Sequence, residues 1–261
     1  MRTIAFLTQK GGAGKTTLAA SLAVAAAAAG ERVVALDFDP QGSLARWGKR
    51  RESANAPHIV VVEPLEVERL PRLSVIIDRL RDAGFTLAVF DTAGAHTGAL
   101  GLVAECADLC LLPARPTLLD IEATAVTFAA VQAAKRKAAF VLNQCPPTYR
   151  SSRAGEAAKD LTRLGVLAEP MLSARIDFQD AIAAGLGVTE HAREGRAAQE
   201  IEAFWGWVRT QLEGIERDMR AEVPPAQRAS GLRERLAGVA RSPHLSPHAG
   251  PAAKARSNEP A

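Results

Sequence analysis

Gln9-Lys10-Gly11-Gly12-Ala13-Gly14-Lys15-Thr16-Thr17 is the stretch around which the rest of the chain can be placed. The spacing from Gly-Gly to Gly-Lys-Thr leaves backbone N–H groups free to converge on a chain of phosphates. The apolar run that follows starts a helix whose positive dipole end faces the same anion. Lys15 can reach the outer phosphates and Thr16 can offer a hydroxyl to Mg²⁺, while the glycines permit a turn that a Cβ would obstruct. Arg2 to Leu7 has the pattern of a buried strand and Leu18 to Ala29 that of a helix, the context such a loop requires.

Lys10 is the unusual member of the loop. A second lysine at its start, in Lys-Gly-Gly-Ala-Gly-Lys-Thr-Thr, resembles the deviant Walker A box of the ParA/MinD family of ATPases. That resemblance implies that Lys10 crosses to the nucleotide of a partner subunit, and hence a homodimer formed on ATP. It also implies ATP binding by Lys10, Gly11, Gly12, Ala13, Gly14, Lys15, Thr16 and Thr17.

Outward from the loop, buried strand patterns alternate with helical ones, which predicts an α/β fold: a doubly wound, mostly parallel sheet with helices on both faces. Arg32 to Asp37 is the second strand, and Asp37-Phe38-Asp39-Pro40-Gln41-Gly42 follows it. Carboxylates at the C-terminal end of a strand sit where ligands bind in such folds, although a polar turn would also use this sequence. The segment is similar to the family's second motif. By that resemblance Asp39 is catalytic, positioning the attacking water, and Asp37 orders the Mg²⁺ shell, with Lys10 and Lys15 completing the catalytic set. Phosphoryl transfer needs an oriented nucleophile and charge neutralisation more than covalent help.

Phe85 to Asp91 is a further strand whose terminal Asp91 can hold a Mg²⁺-bound water beside Thr16. Ala93-Gly94 departs from the two prolines that many members carry here, and Gly94 could hinge a switch loop. Between these strands, Trp47 lies among Arg46, Lys49, Arg50 and Arg51, a basic cluster that predicts a solvated helix face. His58 to Val62 is the third strand, and Val67 to Asp82 a helix that Pro71 starts or kinks.

Asp108 to Pro113 and Ala138 to Leu142 are the remaining strands, separated by a helix ending near Ala134. Two spaced prolines, Pro113 and Pro116, lead into that helix, as at the family's dimer face. Asn143 closes the last strand. By resemblance it reads the adenine edge of ATP, for which an amide supplies one donor and one acceptor; a strand-ending turn would also account for it. A helix over Thr148 to Leu164, Pro170 to Phe178, and a last helix from Arg196 resemble the C-terminal third of small ParA proteins. The resemblance covers about residues 2 to 213.

The chain has 261 residues and is 48% hydrophobic, ample for a core. Six of its 32 basic and three of its 29 acidic residues fall in 221–261, leaving 26 of each before that point. The folded part is therefore neutral, and any polyanion contact must come from a local patch or the tail. Six of the fifteen prolines also lie in this last stretch, so the expected organisation is an ATPase domain over 1–215 and a Pro/Ala/Arg-rich, largely disordered tail over 216–261. Cys106, Cys110 and Cys145 are too few and too irregular for a disulfide framework, and neither a secretory signal nor a membrane-spanning run is visible. These features predict a cytoplasmic protein.

The small ParA resemblance implies an ATP dimer that binds DNA non-specifically, associates with the nucleoid, and positions a plasmid, a chromosome or a protein cluster. A ParB-like or other adaptor would stimulate hydrolysis. Arg175, Arg150, Arg153 and Arg196 are the expected DNA contacts. No domain for reading an operator is expected before Arg2. The alternative is a MinD-like membrane-associated switch, for which Leu232, Leu236 and Val239 in the tail offer only a weak anchor. An iron–sulfur carrier of this fold would need bridging cysteines, and a related tyrosine kinase more tyrosines than Tyr149 alone. A small-molecule ligase of this fold stays open.

Overall fold

The computed structural model describes residues 1–94, 97–147 and 152–222. Six strands form one sheet: β1 (Arg2–Phe6), β2 (Val33–Asp37), β3 (Val60–Pro64), β4 (Leu87–Asp91), β5 (Leu109–Ala114) and β6 (Lys137–Leu142). Their spatial order is β3-β2-β4-β1-β5-β6, and every pairing is parallel. The strands contain few polar residues because both faces are covered, as parallel sheets require.

Alternation along each strand assigns the two faces. Ile4, Phe6, Val33, Val89 and Leu111 point into one core layer, packed by α1 (Lys15–Ala28), α7 (Ile176–Ala183), α8 (Val188–His191) and α9 (Arg196–Glu222). Ala5, Leu7, Val34, Phe90 and Leu112 point the other way, under α3 (Leu73–Asp82), α4 (Thr97–Cys106), α5 (Leu118–Ala133) and α6 (Ser152–Leu164). A third cluster seats Leu44 and Trp47 of α2 (Ser43–Ser53) against Ala20 and Val24 of α1 and Ala35 of β2. The chain forms one unit over Met1–Glu216 and a second from Arg217. Among the described residues no helix is long and apolar enough to cross a membrane.

Three local expectations change. The third strand runs Val60–Pro64 rather than His58–Val62, because it pairs with β2 in a register that sets Val60 opposite Val33 and Pro64 opposite Asp37. The single helix expected over Val67 to Asp82 is a 3₁₀ turn at Val67–Arg72, containing Pro71, and then α3. Proline lacks the N–H that an α-helical continuation would use there. The helix expected from Thr148 is described only from Ser152, and residues 148–151, Arg150 included, lie outside the described residues.

Because β1 stands between β4 and β5, connections diverge at its C-terminal end. A crevice outside the carboxyl ends of parallel strands at such a switch point is the usual ligand site. The Gly-rich loop lies there.

Candidate functional site

Between β1 and α1 the loop adopts left-handed backbone at Gly12 and Gly14, with φ of 79° and 90°. A Cβ at Gly14 would stand 2.3 Å from Asn143 Nδ2, so both conformation and space demand glycine. Asn143 Nδ2 donates to Ala13 O at 2.8 Å, and Gln144 Nε2 donates to Gly12 O at 2.9 Å. These amides occupy loop carbonyls and leave the N–H groups at the head of α1 for an anion. Gln144 itself has φ of 54°, a strained backbone for a residue with a side chain.

Lys15 is buried, its Nζ 3.4 Å from Thr8 O and 3.5 Å from Lys10 O. Burial lowers the pKa of its ammonium, and the charges of Asp91 and Asp39 oppose that shift. Gly11, Gly12, Gly14, Lys15, Thr16 and Thr17 share a cleft of about 600 Å³ with Gln9, Asp39, Gln41, Ser43, Gly94 and Gln144. A Cβ at Gly94 would lie 3.2 Å from Gln9 O and 3.4 Å from Lys15 Nζ, a tight fit against the loop.

Asp37 and Asp91 are register partners on β2 and β4. Asp37 accepts from Asp39 N at 3.0 Å and from Ala45 N at 2.9 Å, and so holds the start of α2. Burial raises its pKa against those hydrogen bonds, and Asp39 adds to the rise. Asp91 is fully buried, and neither of its oxygens meets hydrogen-bond geometry with any group. Burial pushes its pKa up to about 7; the neighbouring Thr16 hydroxyl and Lys15 pull it down, and Asp37 and Asp39 push it further up. Asp39 Oδ1 accepts from Gln41 N at 2.9 Å, which points the loop after β2 into the cleft.

A second pocket, of about 320 Å³, adjoins the first at Gly14 and Gln144 and is walled by Thr17, Leu18, Asn143, Ser173, Ala174, Arg175, Ile176, Phe178 and Gln179. A small cavity with an apolar floor and amide groups at its edge, beside a phosphate-binding loop, has the form of a nucleoside pocket.

A model of the CobQ/CobB/MinD/ParA nucleotide-binding domain matches residues 4–188 of this chain. The chain belongs to this family. It is therefore a nucleotide-binding ATPase domain of the ParA/MinD type. Among its relatives, maintenance of carboxysome distribution protein A of Gloeobacter kilaueensis is 36% identical over 223 residues, which span 84% of this chain and 96% of the relative. The protein of the same name from Halothiobacillus neapolitanus is 30% identical over 212 residues, 76% of this chain and 91% of the relative. The fold is shared with the cell division ATPase MinD of Pyrococcus furiosus, with a TM-score of 0.65 at 20% identity, over 80% of this chain and 99% of that one.

Within this ParA/MinD-family fold Gly11, Gly12, Gly14, Lys15, Thr16, Thr17 and Asp39 line one cleft, Asp37 and Asp91 are buried at adjacent strand ends, and Asn143 lines the second pocket. Ala13 is buried, and Lys10 is half-buried at the mouth of the loop. The expected DNA contacts divide. Arg153 and Arg196 are exposed, whereas Arg175 lines the second pocket and gives its Nη2 and Nε to Glu200 Oε1, at 2.7 and 3.1 Å. Of the basic cluster on α2, Arg51 is not on a solvated face. It is buried and forked onto Glu190 by two bonds of 2.7 Å, while Trp47 Nε1 donates to Leu186 O. Gln144, Glu200 and the pair Arg115–Asp120 were not singled out from the sequence: Gln144 and Glu200 meet partners far away in the chain, and Arg115, although paired with Asp120 only five residues on, is brought beside Gly12 by the fold. The left-handed backbone after Asn143 has no local sign such as glycine.

Proposed function

We propose that this ATPase is a Mg·ATP-driven dimerising switch that binds DNA without sequence preference and distributes a large protein assembly over it, an adaptor protein stimulating hydrolysis and release. The observation that carries the cargo reading is the nearly full-length match to two relatives named for carboxysome distribution. A shared fold alone would leave the cargo open.

The residues fit a hydrated divalent cation. Asp91 presents two buried oxygens with no partner, beside the Thr16 hydroxyl and across from Asp37. Among the described residues no group of three His, Cys, Asp or Glu side chains could hold a metal ion by itself. Thr16, Asp37 and Asp91 would therefore act with nucleotide phosphates and water as the remaining ligands, and the ion would neutralise phosphate charge. Lys15 binds phosphate oxygens at the head of α1, Asp39 orients the attacking water, and Asn143 faces the base with its remaining carbonyl oxygen. Lys10 reaches the nucleotide of the second subunit.

Arg153 and Arg196 supply exposed positive charge for DNA, and dimerisation doubles the patch. Arg175 contributes through the segment it holds, since Glu200 already compensates its charge. Each phosphate neutralised should add roughly −0.9 to the log–log slope of affinity against salt. A mobility-shift assay with ATP, ADP and no nucleotide, beside pelleting with anionic vesicles, tests the reading. DNA binding with ATP alone, weakened in Arg196→Glu and Arg153→Glu, is expected; vesicle binding without DNA binding would replace it with a membrane-associated switch. Purification from cross-linked cells should recover a protein assembly and its adaptor, and recovery of a DNA-partition complex would redirect the cargo reading.

A further inference from the structure

Arg115 follows β5 directly, at the same end of the sheet as the phosphate loop. Its guanidinium is held in a fork: Nε donates to Asp120 Oδ1 at 2.9 Å and Nη2 to Asp120 Oδ2 at 3.1 Å. Asp120 is itself buried, 3% exposed, and its Oδ2 also accepts from Thr117 Oγ1 at 2.6 Å at the start of α5. Two of the three guanidinium nitrogens are therefore spent on orientation. The third, Nη1, is the atom that a Cβ on Gly12 would meet first, at 4.0 Å.

The geometry makes this arginine more than a partner for a buried acid. A planar fork fixed on a rigid carboxylate leaves its outer nitrogen pre-aimed, with little entropy left to lose on binding. The side chain is 35% exposed, so the guanidinium keeps access to solvent. Neither Arg115 nor Lys10 lines the cleft of its own subunit that holds Gly12 and Lys15. Burial opposes ionisation of the Asp120 carboxyl, but its bonds to Arg115 and Thr117, with a smaller contribution from the charge of Lys10, hold it below the usual carboxylate range. Two cations that do not line the subunit's own phosphate cleft, Lys10 within the loop and Arg115 beside Gly12, are suited to an anion arriving from outside.

We propose that Arg115, aimed by Asp120, is a second cation that contacts the phosphates of the nucleotide held by the partner subunit, alongside Lys10. The inference rests on the reading of the chain as an ATP-dependent dimer and adds a residue to it. Asp120 is a positioning residue in this arrangement, since it acts through the arginine. The bond formed is a charge-assisted N–H···O contact, which exists only when two loaded subunits face one another.

Sedimentation of the wild type and of Arg115→Ala, with ATP in an Asp39→Ala background and with ADP, tests this. The wild type decides the underlying reading: if it fails to dimerise on ATP, the dimer switch itself falls. If it dimerises, Arg115→Ala should need about tenfold more protein to dimerise, the loss of one good charged contact, while its affinity for ADP as a monomer moves less than about threefold. Because Arg115→Ala leaves Asp120 buried and unpaired, the double variant Arg115→Ala/Asp120→Asn is measured beside it and should lose dimerisation equally. Arg115→Lys should recover only part, since an ammonium cannot hold both carboxylate oxygens and reach outward. Dimerisation at wild-type concentration in the double variant would overturn the proposal, as would a loss of ADP affinity in the monomer equal to the loss of dimerisation, which would place Arg115 on its own subunit's nucleotide.

Discussion

Asp91→Asn should remove the fall in stability between about pH 4 and pH 7 that Asp91 gives the nucleotide-free, Mg²⁺-free protein. The Asp91 carboxyl is fully buried without a hydrogen-bond partner, and burial is the main cause that raises its pKa from 3.8 to about 7. Unfolded, the same group ionises near its ordinary value of about 3.9. Between the two values the native state keeps a proton that the unfolded chain has released, so stability falls as pH rises from about 4 to about 7. A shift of roughly three units at about 1.36 kcal/mol each makes this loss about 4 kcal/mol. Asparagine has no charge to lose, and the slope disappears. Its buried amide, short of partners, costs about 1–3 kcal/mol. The variant should accordingly match or fall below wild type at pH 5 and exceed it by about 1–3 kcal/mol at pH 8. Urea unfolding in EDTA at one-unit intervals between those limits measures both curves. Parallel curves would refute the argument. With Mg²⁺ restored, the same variant should lose the increment of ATP affinity that the ion gives the wild type.

The remaining predictions concern the two lysines, the water-orienting carboxylate and the buried ion pair. Lys10→Ala should bind ATP in one subunit and fail to dimerise, whereas Lys15→Ala should weaken binding itself; titration with a fluorescent ATP analogue beside sedimentation separates the two, and a Lys10→Ala protein that dimerises on ATP sinks the cross-subunit role. Asp39→Ala should bind ATP, lower phosphate release by at least about tenfold and accumulate as the ATP dimer, as expected when an interaction used only in the transition state is removed; unchanged turnover would exclude it from the mechanism. Arg51→Met should destabilise the fold by up to about 3–5 kcal/mol, because the buried Glu190 would lose its guanidinium partner and keep only His58 and the Gly187 N–H. The Glu190 carboxyl, held down to about 2 chiefly by Arg51 against its burial, contributes stability that is present above about pH 4.5 and lost as pH falls through about 2. Acid unfolding of Glu190→Gln should lack that loss, and an unchanged acid midpoint would count against it.

The nucleotide loop and the parallel sheet were legible in the chain because both depend on local pattern. Lys10 to Thr17 carries its chemistry at fixed spacing, and the strand ending in Asp91 is an unbroken apolar run with its acid at the end. The same is true of Asp37 and Asp39 after β2. Sequence alone also placed the basic surplus beyond residue 220 and left the folded part neutral. Tertiary structure decided which charges face solvent and which serve the fold. Arg51 has the sequence context of an exposed arginine on a basic helix, yet Glu190, far along the chain, draws it inside. Arg175 sits in a segment that suggests a DNA contact, and Glu200 binds it at the wall of a pocket. Arg115 looks like any loop arginine until Asp120 aims it past Gly12. A charge's role depends on what compensates it, how much water it keeps and what it faces; for Arg51 and Arg175 the compensating acid, and for Arg115 the neighbouring loop, come from distant segments, which spacing along one segment cannot encode.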